Sequence, residues 1–208
     1  MERRRVFLPP LNLVDRLRAA LARPAPPGIL PGDLIEGSSV PATDAAVLVA
    51  ITDRPEPGVL LTVRRDDMRT HAGQVAFPGG RLDPGEDSTT AALREAWEEI
   101  GLPPTAVDLW GAADPYRTIT GYAVTPIVGL IPADLDLSPH EHEVAALFEV
   151  PLSFLLASAN QQRMSGDYQG MTRHYYKIDW DGRQIWGATA AMLVNLRLRL
   201  ESLESPAA

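Results

Sequence analysis

Apolar residues at Leu11, Val14, Leu17 and Leu21 recur at helical spacing, so residues 11–21 are expected to form a helix with one sticky stripe. Such a stripe packs either on the body of the chain or against a second copy, which makes a homodimer contact one reading of it. Residues 23–42 are interrupted at Pro24, Pro26, Pro27, Pro31 and Pro41 and are expected to be an irregular surface linker. Two apolar runs follow, 44–53 and 58–65, joined by a turn through Pro55, Glu56, Pro57 and Gly58, and both are expected as strands. From 90 to 100 the pattern changes to Ala, Leu, Arg and Glu without Gly or Pro, a helix. Asp87, Ser88 or Thr89 stands where its N-cap belongs, and Gly101 where a left-handed C-terminal cap belongs. Strands are then expected at 107–116 and 122–131 around a turn at Thr120-Gly121, followed by a polar, acidic loop at 132–142. A strand at 144–150, a short helix at 151–157 opening on Pro151, a hairpin of 172–180 and 183–186 around Asp181-Gly182, and a helix at 187–203 complete the chain. Strands, a helix, more strands and a last helix make an α/β protein, an α/β/α sandwich with a mixed β-sheet.

Composition narrows the setting. At 208 residues and 45% hydrophobic, one sizeable domain with additions is expected. The absence of cysteine excludes disulfides and thiolate metal sites. The longest apolar runs, 45–51 and 127–131, are too short to span a bilayer as helices, so no membrane partner is expected. The basic start, Met1-Glu2-Arg3-Arg4-Arg5, is followed by no apolar stretch of signal-peptide length, and Ser205-Pro206-Ala207-Ala208 is no peroxisomal address. The expected location is the cytoplasm. A net charge of −8 argues against a nucleic-acid partner and for phosphate being handled locally, by metal and a few arginines.

The chemistry is concentrated on the helix at 90–100. Glu95, Glu98 and Glu99 stand at i, i+3 and i+4, on one face. Three crowded carboxylates repel unless a cation sits among them, and a hard divalent ion with oxygen ligands, Mg²⁺ or Mn²⁺, answers that need. A solvated acidic face is the plainer reading of Glu-x-x-Glu-Glu alone. The surroundings decide between them: Gly80, Glu86, Arg94-Glu95, Glu98-Glu99 and Gly101 fall at fixed spacing. At residue frequencies of roughly 6% each, these matches arise by chance on the order of once in 10⁸ start positions.

This segment, Gly79 to Leu102, resembles the Nudix box, G-x5-E-x7-R-E-U-x-E-E-x-G-U with U a bulky aliphatic residue, and the chain is similar to Nudix hydrolases. Its first U position holds Ala96, smaller than usual, which is expected to thin the packing behind the helix. The resemblance implies a Nudix fold and a metal-dependent hydrolase. It places the metal on Glu95, Glu98 and Glu99, gives Arg94 the task of bracing the carboxylates, and makes Glu86 that arginine's partner. The metal would neutralise a diphosphate and activate a water.

Upstream, residues 60–80 (LLTVRRDDMRTHAGQVAFPGG) resemble the coenzyme A pyrophosphatase signature through Leu60, Leu61, Thr62, Arg64, Arg69, Gly73, Phe77, Pro78, Gly79 and Gly80. Arg65 departs from it, standing where Ser or Ala is usual. Ile185-Trp186-Gly187-Ala188-Thr189-Ala190 resembles the start of that family's last helix. The resemblance divides the chain into 1–43, the helix and Pro-rich arm, 44–203, the Nudix domain, and 204–208, a tail.

Coenzyme A carries a diphosphate and a 3′-phosphate, so cations beyond the metal are needed. Arg64 and Arg69 are candidates for its phosphates, with Gly79 and Gly80 beside them as substrate-binding positions. The two arginines have other uses open to them, on the surface or paired with Asp66, Asp67 or the box acids. Arg65 alternates to the other strand face. The catalytic set expected from the resemblance is Glu98, Glu99, Arg94 and, from the downstream loop, Glu143 as general base or extra ligand. His71, His140, His142 and His174 have no metal-ligand spacing; Tyr168, Tyr175, Tyr176 and Trp180 could stack an adenine, but their alternation is that of core and cross-strand packing. The implied function is cleavage of coenzyme A or acyl-coenzyme A to 3′,5′-ADP and (acyl-)4′-phosphopantetheine. The rivals are hydrolysis of ADP-ribose, NADH or a dinucleoside polyphosphate, and a non-catalytic nucleotide-sensing module.

Overall fold

The computed structural model describes residues 12–33, 42–65, 73–168 and 170–203. Helix α1 (Leu13–Leu21) starts at Asn12, whose side-chain oxygen accepts from the Asp15 N–H. Strands β1 (Thr43–Asp53), β2 (Gly58–Arg64), β3 (Val75–Ala76) and β4 (Gly79–Arg81) precede helix α2 (Ser88–Ile100). Asp87 caps α2 by accepting from Thr90 N–H, and Gly101 ends it in the left-handed conformation, φ 68°. Then come β5 (Asp108–Ala112), β6 (Tyr116–Arg117), β7 (Tyr122–Pro132), β8 (Val144–Pro151), the single turn α3 (Leu152–Leu155), β9 (Gln162–Tyr168), β10 (Met171–Trp180), β11 (Arg183–Trp186) and α4 (Ala188–Ser202).

The main sheet is mixed. β1 runs parallel to β7 over its full length, Thr43 opposite Tyr122 through Asp53 opposite Pro132. On its other side β1 meets β2 only at Ile51–Val59 and β4 at Ala45–Arg81 to Val47–Gly79, both antiparallel. β1 and β2 therefore diverge, and β2 pairs instead with β8 and β3. The chain at Pro78-Gly79 fills the opening, with the Pro78 carbonyl accepting from Leu48 N–H at 2.8 Å. β9, β10 and β11 form a separate antiparallel sheet, and its last turn, Asp181-Gly182, has φ of 45° and 73°, as a tight hairpin needs.

Alternation along β1 sorts two cores. Ala46, Leu48 and Ala50 face α2, whose buried side is Ala91, Ala92, Ala96 and Ile100. Val49 and Ile51 face the other layer, with Leu193 and Leu196 of α4 and Leu17 of α1. Ala96 is wholly buried in an interface already made of small side chains, so its size matches its partners. α4 packs against α1 as well as against β6, β10 and β11, which explains why Thr189 through Leu196 are buried without a break. Among the described residues no helix is long and apolar enough to cross a membrane.

Several expectations change. The strand expected at 107–116 is broken at Ala113–Pro115, because Asp114 turns inward to take Arg199 in a two-point ion pair, 2.6 and 2.7 Å. Pro151 is the N-cap of α3 and not its first residue. β3, β4 and β9 were not foreseen. The described part of the Pro-rich arm is anchored: Asn195 binds both the N–H and the carbonyl of Leu30, at 2.8 and 2.9 Å, and Gly32 bridges to Arg117.

Candidate active site

Glu95, Glu98 and Glu99 occupy one edge of α2, and the structure surrounds each differently. Glu99 points back into the opening between β1 and β2, where it is 4% exposed and its Oε2 accepts from Gly79 N–H at 3.2 Å. Arg64, at the end of β2, brings Nη1 to 3.8 Å from Glu99 Oε1. Burial pushes the Glu99 carboxyl up to about 7; Gly79 N–H and Arg64 pull it down, and the charges of Glu95 and Glu143 push it further up. Glu95 is raised as well, again chiefly by burial, against the pull of Arg94. Glu98 is the exposed member, with 56% of its side chain accessible.

Arg94 organises the N-terminal part of this edge. Its guanidinium grips Glu86 at two points, Nε to Oε1 at 3.0 Å and Nη2 to Oε2 at 2.9 Å. Nη1 donates to Glu95 and Glu98 at 3.0 and 3.2 Å, and Nη2 also donates to the Arg81 carbonyl at 3.0 Å. The fork holds Glu86 below its ordinary range, chiefly through the hydrogen bond from Arg94 and then through one from Asp83 N–H. Arg94 thus donates hydrogen bonds to four residues, Arg81, Glu86, Glu95 and Glu98.

Gly79 and Gly80 line the floor. A Cβ on Gly80 would collide with the Glu95 carboxylate, and one on Gly79 with the Ala46 carbonyl oxygen. Glycine is what lets β4 pass between strand and helix edge.

The loop after β7 closes the other side. Ser138 N–H and His140 N–H donate to the Ile100 and Glu99 carbonyls at 3.1 and 2.8 Å, satisfying the last turn of α2 with loop backbone. Glu143 follows, its N–H on the His140 carbonyl and its own carbonyl accepting from Arg65 N–H. Arg65 Nη1 donates to the Glu141 carbonyl at 2.6 Å. Adjacent arginines therefore diverge as strand alternation requires, Arg64 to Glu99 and Arg65 to the loop. Arg69 and His71 lie outside the described residues.

Between α2 and this loop is an open cleft of about 720 Å³, lined by Trp97, Glu98, His140, His142 and Glu143. Trp97, not singled out in the sequence, lines this cleft; it stands as a large aromatic off the apolar stripe of Ala92, Ala96 and Ile100.

Among the described residues, no three His, Asp or Glu side chains converge as a formed metal-binding group. The donors nonetheless suit a hard cation, since Glu95, Glu98 and Glu99 offer only carboxylate oxygens on one helix edge, and the crowding of Glu95, Glu99 and Glu143 leaves negative charge to be offset.

Comparison with known proteins matches residues 42–172 to the NUDIX domain. The uncharacterized Nudix hydrolase NudL of Cronobacter sakazakii is 45% identical over 165 residues, covering 78% of this chain and 85% of that protein. The uncharacterized Nudix hydrolase NudL of Escherichia coli O7:K1 is 44% identical over 157 residues, 75% of this chain and 82% of that protein. Among solved structures, the Nudix hydrolase RenU of M. smegmatis aligns over 80% of this chain and 89% of its own with a TM-score of 0.52 at 23% identity, a likeness of fold. With its box intact on α2 and its sheet arranged around that helix, the chain belongs to the Nudix hydrolase family.

Proposed function

We propose that this Nudix hydrolase cleaves the diphosphate of a nucleoside diphosphate-linked compound and that, within this class, its substrate is coenzyme A or an acyl-coenzyme A. The products would be 3′,5′-ADP and 4′-phosphopantetheine or its acyl form. The observation that carries the reading is Arg64: its guanidinium reaches Glu99 while its buried Nε has no hydrogen-bond partner. A cation held over the box acids, with donor capacity to spare, suits a phosphate oxygen.

In this reading Glu95, Glu98 and Glu99 hold Mg²⁺ or Mn²⁺. A bound ion of this kind neutralises the diphosphate and lowers the pKa of the attacking water. Glu143, on the exposed loop facing the box, takes the water's proton. Arg64, with Arg69, meets the phosphate charge that develops as the P–O bond breaks. Gly79 and Gly80 let the substrate approach the backbone. Arg94 makes no substrate contact and holds Glu86, Glu95 and Glu98 in place.

Family membership supports the reaction class. The narrower substrate rests on residues 60–80 and 185–190, so ADP-ribose, NADH and dinucleoside polyphosphates are the comparison set. The test is chromatographic product analysis with coenzyme A and Mg²⁺ or Mn²⁺, with Glu98→Gln and Glu99→Gln alongside. Metal-dependent 3′,5′-ADP that is lost in both variants supports the whole reading. Turnover of ADP-ribose or NADH alone keeps the class and removes coenzyme A. No turnover of any of them favours a nucleotide-binding module.

A further inference from the structure

The cleft between α2 and the 138–143 loop is continuous with the site through Glu98 and Glu143, yet its far wall has no part in the chemistry above. That wall is Trp97, with 53% of its surface exposed on a helix whose neighbouring face is fully buried. Exposed apolar side chains are common singly, and Trp186 and Leu109 are others; what sets Trp97 apart is that it lines the cleft next to Glu98. Opposite it stand His140 and His142, whose rings lie 5.4 Å apart and tilted at 59°. The loop that carries them is tied to the end of α2 by the Ser138 and His140 hydrogen bonds. The loop side of the cleft is therefore positioned by main-chain bonds to the helix that bears Trp97.

The charges select what enters. Glu98, Glu141 and Glu143 all border the cleft, so a phosphate group arriving there meets like charge. A flat, uncharged ring meets an indole on one side and two imidazoles on the other.

We propose that this cleft is the base subsite: the planar heteroaromatic ring of the nucleoside stacks on Trp97, with His140 and His142 opposite, while the diphosphate lies over Glu95, Glu98 and Glu99. The proposal rests on the nucleoside diphosphate reading above and adds the residue that fixes which end of the substrate points where. Trp97 acts in binding and not in bond cleavage.

Two measurements test it. The first needs no turnover: tryptophan emission is followed while AMP is added, with ribose 5-phosphate as the ligand that has the sugar phosphate but no base. AMP should quench wild-type emission saturably, ribose 5-phosphate should not, and Trp97→Phe should lose most of the quench, since Trp110, Trp180 and Trp186 lie outside the cleft. The second is steady-state kinetics on whichever diphosphate the product assay identifies. Trp97→Ala should raise KM roughly 5- to 100-fold with kcat little changed, and Trp97→Phe, which keeps a stacking face, should stay within about threefold of wild type. An AMP quench that persists in Trp97→Phe, or a KM unaltered in Trp97→Ala, overturns the subsite. A shift in oligomeric state of Trp97→Ala without a change in KM assigns the indole to a protein contact instead. Saturable AMP quenching without turnover of any diphosphate leaves the subsite standing and removes the hydrolytic reading, so the two failures are distinguishable.

Discussion

Arg64 and Glu99 face each other across the gap where β2 leaves β1, Nη1 to Oε1 at 3.8 Å. The arginine is too far for a tight pair, and the carboxyl remains pushed up to about 7 despite it. The sheet's divergence thus produces a buried acid that titrates near neutrality when no metal is bound.

Stability of the metal-free protein should carry this signature. Glu99 binds its proton more tightly folded than unfolded, where its ordinary value is 4.5, so its contribution is fully present below 4.5 and is lost as pH rises through about 7. The loss amounts to about 3 kcal/mol. Glu99→Gln removes it, so the variant should gain on wild type in urea denaturation between pH 5 and pH 8. Addition of Mn²⁺ at pH 8 should stabilise wild type more than the variant. A stability difference that stays flat across this range overturns the assignment.

Gly79 and Gly80 should fail in different ways. At Gly80 the colliding group is the end of the Glu95 side chain, which swings aside, so Gly80→Ala should fold with near-normal Tm and lose at least about tenfold in kcat through displacement of that carboxylate. At Gly79 the colliding group is the Ala46 backbone, which does not yield, so Gly79→Ala should cost about 1–3 kcal/mol of stability. Thermal melts and turnover of both variants separate the two.

The Arg94–Glu86 fork should behave as one unit. Arg94→Ala and Glu86→Gln should each lower activity, and the double variant should be hardly worse than Arg94→Ala, because the two share one pair of hydrogen bonds. Arg94→Lys should recover little, since an ammonium cannot span Glu86, Glu95 and Glu98 together. Additive losses in kcat/KM contradict this arrangement.

Arg199→Met should be more damaging than any site variant. It strands Asp114, leaves the Arg23 carbonyl without its guanidinium donor, and should cost about 3–5 kcal/mol. Proteolysis should then cut within residues 22–33 faster than in wild type.

The helix and its acids were legible in the chain because a helix writes its face into sequence spacing. Glu95, Glu98 and Glu99 needed no tertiary knowledge to be placed together, and Asp87 and Gly101 marked their own caps. β4 left no such mark: Gly79-Gly80-Arg81 has no alternation, and its pairing with β1 depends on the gap β2 leaves. β9 is polar along most of its length and becomes a strand only beside β10. Asp114 hid a broken strand, because its partner Arg199 is 85 positions away. Arg64 was legible as a cation of the site; Arg65 was not legible as a tie for the downstream loop, because it binds a backbone carbonyl that any residue supplies. Trp97 stands inside the box at one of its unspecified positions, so the pattern drew no attention to it.

The loop that carries Glu143 is joined to α2 through peptide groups, Ser138 and His140 N–H on the Ile100 and Glu99 carbonyls. Main-chain attachment is indifferent to the side chains it carries. Positions 139, 141 and 142 can therefore be exchanged without altering the spacing between the loop and the box. On the proposed function and base subsite, substrate choice and bond cleavage are in this way separable to engineering, as a lens can be changed on a camera whose shutter stays where it is.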